Sequence, residues 1–227
     1  MRRLIFPLLL GLVGCGVLIG LGVWQLQRLQ WKEAKLAQIS AKIASVPAPL
    51  PATVSDAADI YLPVTVQGRL LGPEALVITG LNQAGPGYRV IGAFEVAETS
   101  RKVLVDLGFV AEADKDFVRP LAPMTITGNL NWPVEKDSYT PEPDLLRHFW
   151  FARDVERMAN VLGTEQTMVV AKSIDPAIPA ISPLPVDTSS IPNDHLTYAI
   201  TWFSLAVVWF GMTVLFVWRN RRRTVQD

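Results

Sequence analysis

The sequence predicts a membrane protein in which two transmembrane α-helices flank a β-rich α+β extracytoplasmic domain. Three observations carry that fold class. Residues 4–24 and 199–218 contain no charged side chain. The 21 Lys and Arg and 21 Asp and Glu of the 227-residue chain therefore fall in the other 186 residues, about 23%, close to the roughly 25% of soluble domains. Between the apolar runs, short β-branched stretches alternate with prolines. Sixteen of the 17 prolines lie within residues 47–192, about twice the usual share.

A hydrocarbon core of about 30 Å needs roughly 20 apolar helical residues, and both runs reach that length. The expected order is a cytoplasmic N-terminus at 1–3, a first transmembrane helix at 4–24 and its helical extension at 25–46. The extracytoplasmic domain follows at 47–192, then a second transmembrane helix at 196–218 and a basic cytoplasmic tail at 219–227. Two other readings of the first run compete. A cleaved secretory signal needs a shorter apolar region and a small-residue cleavage site, and neither is evident near Trp24. Leu12-Val13-Gly14-Cys15 resembles a lipobox, but the nine residues after Cys15 are apolar rather than a polar tether. The retained helix is the expectation. Gly16-xxx-Gly20 within it is a small-xxx-small pair that permits close helix contact, with the second span as the obvious partner.

Orientation follows from the arginines. Arg219, Arg221, Arg222 and Arg223 close the second span, and such clusters mark the cytoplasmic side. Two spans place both termini on one face, so the central domain is expected in the periplasm of a bacterial inner membrane. Only three residues precede the first run, which leaves no room for a mitochondrial transit peptide. Residues 25–198 carry 15 Lys or Arg against 20 Asp or Glu, a balance of −5. That disfavours a nucleic-acid partner and leaves the lipid bilayer as the surface the basic end meets. One cysteine excludes an intrachain disulfide and CxxC chemistry. Two histidines, His148 and His195, exclude a multi-histidine metal site.

Past Trp24, Leu26, Leu29, Leu36, Ile39 and Ile43 keep helical spacing, until Pro47, Pro49 and Pro51 end the helix. In the central domain the expected strands are 61–71, 75–79, 88–96, 102–110, 124–130 and 167–171. Gly72-Pro73, Gly85-Pro86-Gly87 and Ala122-Pro123 read as punctuation between them. One helix is expected over 153–162, with Val155, Met158, Ala159 and Leu162 on one face and Gly163 as its stop. Catalytic motifs are missing: there is no GxSxG, HExxH or P-loop. Asp106, Glu112, Asp114, Asp116, Glu135 and Asp137 read as loop charges of a soluble domain, and His148 as a hydrogen-bonded structural residue. A non-enzymatic protein is expected.

The informative cluster lies where both spans meet the outer membrane face. Trp24, Gln25, Arg28 and Trp31 leave the first span; Asn193, Asp194, His195, Tyr198 and Trp202 enter the second. His195, Tyr198 and Trp202 share one helix face by their i, i+3, i+7 spacing. Imidazole is an axial ligand of haem iron, arginine pairs with carboxylates such as haem propionates, and aromatic surface suits a flat apolar ring. The same residue types are also standard interfacial anchors, and the residues alone leave both readings open.

At these residues the chain resembles a known family. Gly22-Val23-Trp24-Gln25-Leu26-Gln27-Arg28-Leu29-Gln30-Trp31-Lys32 resembles the N-terminal signature of the surfeit locus protein 1 family. Asn193-Asp194-His195-Leu196-Thr197-Tyr198-Ala199-Ile200-Thr201-Trp202-Phe203 resembles its C-terminal signature. Between them, Gly85-Pro86-Gly87-Tyr88-Arg89-Val90 and Val103-Leu104-Val105-Asp106-Leu107-Gly108-Phe109-Val110 are similar to its central segments, as are Trp150, Asp154 and Met158-Ala159. The resemblance implies an assembly factor for haem-copper cytochrome c oxidase that helps deliver haem a to oxidase subunit I, working beside haem A synthase. By position it makes His195 the candidate haem iron ligand and Trp24, Gln25 and Arg28 pocket or propionate contacts, with Tyr198 and Trp202 on the same side. The chain departs from the family pattern at Leu107, Phe109, Ala111 and Asp194. Three of these lie in the central domain, where they point to a divergent member serving a different oxidase, a quinol oxidase among them. The alternative is a membrane scaffold that stabilises a subunit I intermediate without binding haem.

Overall fold

The computed structural model describes residues 2–81, 85–189 and 191–224. Met1 and residues 225–227 of the expected termini lie outside the described residues, as do the side chains of Arg2, Arg3, Arg222 and Arg223. The chain divides into two compact units, Met1–Gln38 with Thr188–Asp227, and Ile39–Asp187.

The first unit is built from two long helices. Helix α1 covers Arg2–Ile43 without interruption, so the helix continues past Trp24 as its spacing predicts. It stops three residues short of the expected 46, with Ser45 bonded back to Lys42 O before Pro47. Both α1 and the last helix of the chain are long and apolar enough to cross a membrane. That last helix, α4 below, covers His195–Thr224. It continues into the basic segment that begins at Arg219, as the good helix propensity of arginine allows.

The two helices run antiparallel, and small residues set their contact. An ideal Cβ at Gly11 would lie 2.2 Å from Thr213 Cγ2, one at Gly14 2.4 Å from Trp209 Nε1, and one at Gly22 2.7 Å from Phe203. Trp209 Nε1 donates to Gly11 O at 3.1 Å, and Cys15 Sγ lies 3.7 Å from Ala206 O. Gly16 and Gly20 have open space where a Cβ would stand. The expected Gly16-xxx-Gly20 contact with the second helix is therefore not the one formed. Gly11, Gly14 and Gly22 occupy that seam, because the sides of α1 that bear Gly16 and Gly20 are turned away from it.

The second unit is a closed barrel. After α1 come the two-residue strand β1 (Ala48–Pro49), the helical turn α2 (Asp56–Asp59) and strands β2 (Pro63–Leu81), β3 (Gly85–Val96), β4 (Lys102–Ala111) and β5 (Met124–Leu130). Then follow β6 (Phe149–Trp150), helix α3 (Val155–Leu162), β7 (Met168–Asp175) and α4. Neighbours run β2-β3-β4-β7-β5, and β5 pairs with β2 to close the ring. Strand β2 serves both ends of that ring. Its Pro63–Gly68 part pairs with β5, and its part from Gly68 onward pairs with β3. At the crossover an added Cβ on Gly68 would stand 1.9 Å from Glu95 O, so the closure requires glycine.

Two expected punctuation sites lie inside strands. Gly72-Pro73 does not separate 61–71 from 75–79; both belong to β2. Gly72 takes φ +99°, and the register with β3 shifts between Leu70 and Glu74, which is a bulge. Gly85-Pro86-Gly87 opens β3 instead of preceding it. Strands β1 and β6, which add to β2 in parallel, have no expected counterpart, since two residues show no alternation.

The barrel interior holds Val64, Phe94, Val103, Ile126 and Leu130, all sealed from solvent. Helix α3 covers one side with Val155, Met158, Ala159 and Leu162, packed with Ile91, Leu104 and Met168. Asp154 caps its start by accepting from Arg157 N, and Gly163 ends it at φ +68°. The expected helix thus begins two residues late, since Arg153 and Asp154 precede the first helical turn.

Candidate functional site

In the helical unit the structure brings His195 and Gln25 together. His195 opens α4 and is half-buried, while Gln25 is 9% exposed. Nδ1 of His195 lies 2.8 Å from Oε1 of Gln25. An amide oxygen only accepts, so Nδ1 carries the proton and donates. Of the two neutral tautomers, this bond selects the one that leaves the lone pair on Nε2. Below the pair, Ala199 is buried and Gly22 lets Phe203 approach. A glutamine inside an apolar helix seam is costly unless it is bonded, and the histidine meets that requirement.

The other expected site residues stand differently. The Arg28 guanidinium carbon lies 4.7 Å from the ring centroid of Trp31 on its own helix, and Arg28 is exposed. Trp24 and Tyr198 are half-exposed, and Trp202 is half-buried. Asn193 Oδ1 is buried without a hydrogen-bond partner. The arrangement therefore presents one oriented imidazole with aromatic surface along the same helices.

The barrel unit holds a second polar centre, and sequence reasoning missed it. Asp106 on β4 is 0% exposed. Its Oδ2 accepts from Arg89 Nε at 2.8 Å and from Arg153 Nη1 at 3.0 Å, and its Oδ1 from Gly108 N at 3.1 Å. Arg153 extends the network to Glu135 through side chain and main chain. Burial opposes the charge on Glu135, but its hydrogen bonds to Arg153 outweigh that and hold its carboxyl below the ordinary range. Burial also opposes the charge on Arg153, and Glu135 and Asp106 more than offset it. Asp106 and Glu135 are thus paired, and not the free loop charges expected. The available signal was an aspartate inside the apolar run Val103-Leu104-Val105-Asp106-Leu107, which no strand buries without a partner.

His148 takes φ +60° and is exposed; the bond it makes is through its main chain, whose carbonyl accepts from Leu76 N at 2.8 Å. Among the described residues no group of three or more His, Cys, Asp or Glu is placed to hold a metal ion.

In chain order a β-rich unit lies between two long apolar helices, with an oriented histidine at the head of the second. The profile of the SURF1 family matches residues 12–207. The chain is 30% identical over 208 residues to the SURF1-like protein of Drosophila melanogaster, covering 82% of this chain and 69% of that protein. It is 26% identical over 209 residues to surfeit locus protein 1 of Mus musculus, covering 82% and 67%. It is 30% identical over 200 residues to the SURF1-like protein of Rickettsia conorii, covering 83% and 82%. The chain belongs to the SURF1 family.

Proposed function

We propose that this protein is a non-enzymatic assembly factor for haem-copper cytochrome c oxidase, and that it binds haem a through His195 on the way to oxidase subunit I. Helices α1 and α4 cross the bacterial inner membrane, both termini lie in the cytoplasm, and the barrel stands in the periplasm. Haem A synthase and subunit I are the proteins it works between.

The observation that carries this reading is the His195–Gln25 bond. A histidine that ligates a metal commonly donates its other ring N–H to a fixed acceptor, which sets the tautomer and the ring direction. Gln25 does this for His195 and leaves Nε2 as the donor. The donor set fits a porphyrin iron: one oriented imidazole at a helix start, with Trp202 and Tyr198 on its own helix and Trp24 beside Gln25. Arg28 supplies a cation for a propionate from its place on Trp31. His195 Nε2 would hold the iron of a bound haem, which would supply a redox-active metal centre. The residues supply orientation, apolar contact and charge balance.

The test is a spectrum. Full-length protein purified in mild detergent from cells that make haem a is expected to carry that pigment. His195→Ala should lower its occupancy at least about tenfold, and Gln25→Leu should keep the pigment while shifting its absorption and midpoint potential. Colourless protein from haem-replete cells overturns the haem reading and favours the scaffold. Unchanged occupancy in His195→Ala removes His195 from it.

A further inference from the structure

A cavity of about 460 Å³ opens on the barrel unit, and none of the residues named for haem lines it. Three pieces of chain build it: the bulge of β2 around Leu70 and Glu74, the segment 115–121 after β4, and Arg147-His148 before β6. Its volume lies within the roughly 300–1,000 Å³ of small-ligand pockets and far exceeds the ~30 Å³ share of one water.

Arg119 lines this cavity with a side chain only 5% exposed. Its Nη2 donates to Lys115 O at 3.0 Å and lies 3.6 Å from Glu74 Oε1. Its Nε and Nη1 are buried with no hydrogen-bond partner, and together they carry three N–H donors. A guanidinium is always charged and never accepts, so only acceptors answer those donors. Glu74 is a poor one: it stands beyond hydrogen-bond distance, and burial raises its carboxyl against the pull of Arg119 and His148. Lys115, Arg147 and His148 add positive charge or donors at the rim, against Glu74 and Asp116. Lys115 also reaches Glu112 at 2.8 Å, and Arg147 approaches Asp144 at 3.8 Å. Leu70, Leu76 and Phe117 supply the apolar wall.

We infer that this cavity is a binding site for an oxyanion, a carboxylate or a phosphate, received by Arg119 with Lys115 and Arg147 at the rim. The apolar wall takes the body of a ligand that has one. The site does not depend on the haem reading, since none of its residues belongs to the helical unit.

The test uses the full chain in detergent at fixed ionic strength, with sodium phosphate and sodium benzoate titrated against sodium chloride. At least one probe is expected to raise the unfolding temperature saturably, as ligand linkage requires. Arg119→Gln should weaken the fitted affinity about tenfold or more. Lys115→Gln at the rim should weaken it severalfold, and it carries the comparison if Arg119→Gln fails to fold. Saturation by benzoate alone makes the ligand a carboxylate; saturation by phosphate alone makes it a phosphate. No saturable shift with either probe overturns the site. So does a shift that climbs without saturating, or one equal in wild type and every variant that folds, because excluded salts stabilise any fold that way.

Discussion

In the helical unit Leu12, Val207 and Phe210 stand exposed, while Gly11, Gly22, Ala199 and Ala206, all small, are buried together with Gln25. In the barrel unit Val64, Phe94 and Ile126 are sealed inside, and ion pairs such as Arg101–Glu165 lie toward solvent. The two units place the same kinds of side chain in opposite positions. Removal of apolar surface from water drives the barrel. The helix pair has large apolar side chains facing out, so its contact rests on close approach and a few polar bonds, as in lipid. Each unit also keeps a buried polar cluster at its candidate centre. In the helices it is the His195–Gln25 pair that orients an imidazole; in the barrel it is an ion network that spans β3, β4 and the entry to α3.

Breaking the barrel's network should have the largest effect. Asp106→Ala leaves Arg89 and Arg153 without their shared carboxylate, and loss of one partner of a buried pair costs about 3–5 kcal/mol. Urea unfolding of the full chain in detergent, followed by amide hydrogen exchange of the barrel strands, reads this directly. A loss under about 1 kcal/mol would show the network to be peripheral. Next comes the helix seam. Gly14→Leu drives a side chain into Trp209 and should cost about 1–3 kcal/mol as overpacking, whereas Gly16→Leu meets open space and should cost close to nothing. Reversible unfolding in mixed SDS micelles separates the two, and equal costs would mean that the faces of α1 are wrongly assigned. The smallest effect is acid-linked. Glu135 has a depressed folded value, so its contribution is complete above its unfolded value of about 4.3 and disappears as pH falls through the folded one. Because its side chain is 38% exposed, screening keeps that contribution below about 1 kcal/mol. Wild type should exceed Glu135→Gln by this small amount at pH 6, and the gap should close at an acidity below the folded value. A gap that persists at that acidity would place its origin outside this carboxylate.

Much of the fold was readable from local pattern. Helix α3 was, because Val155, Met158, Ala159 and Leu162 mark one face and Gly163 supplies a left-handed stop. Strands β3, β4 and β5 were, because β-branched runs with breakers beside them need no distant information. Strand β2 was not read whole: Gly72-Pro73 is a turn signal by composition, and only pairing with β3 turns it into a bulge. At the candidate site, His195 and Gln25 were legible as members of one cluster. Their bond was not, since it joins residues 170 positions apart. Arg28 was expected beside them, but its nearer partner is Trp31, three residues along its own helix. Asp106 passed as a loop charge because its two arginines, at positions 89 and 153, come from different elements.

The sequence by itself determined the two apolar helices, the acidic β-rich stretch between them and the segments that carry the family resemblance. These follow from hydropathy, charge and short spacing, which act along the chain within a few residues. Tertiary structure alone decided which glycines of α1 meet α4, how β2 bends at Gly68 to close the barrel, which cations hold Asp106 and where Arg119 is left with unmet donors. Each of those depends on atoms brought together from distant positions. Burial then sets the energy of every polar group according to the partner it finds.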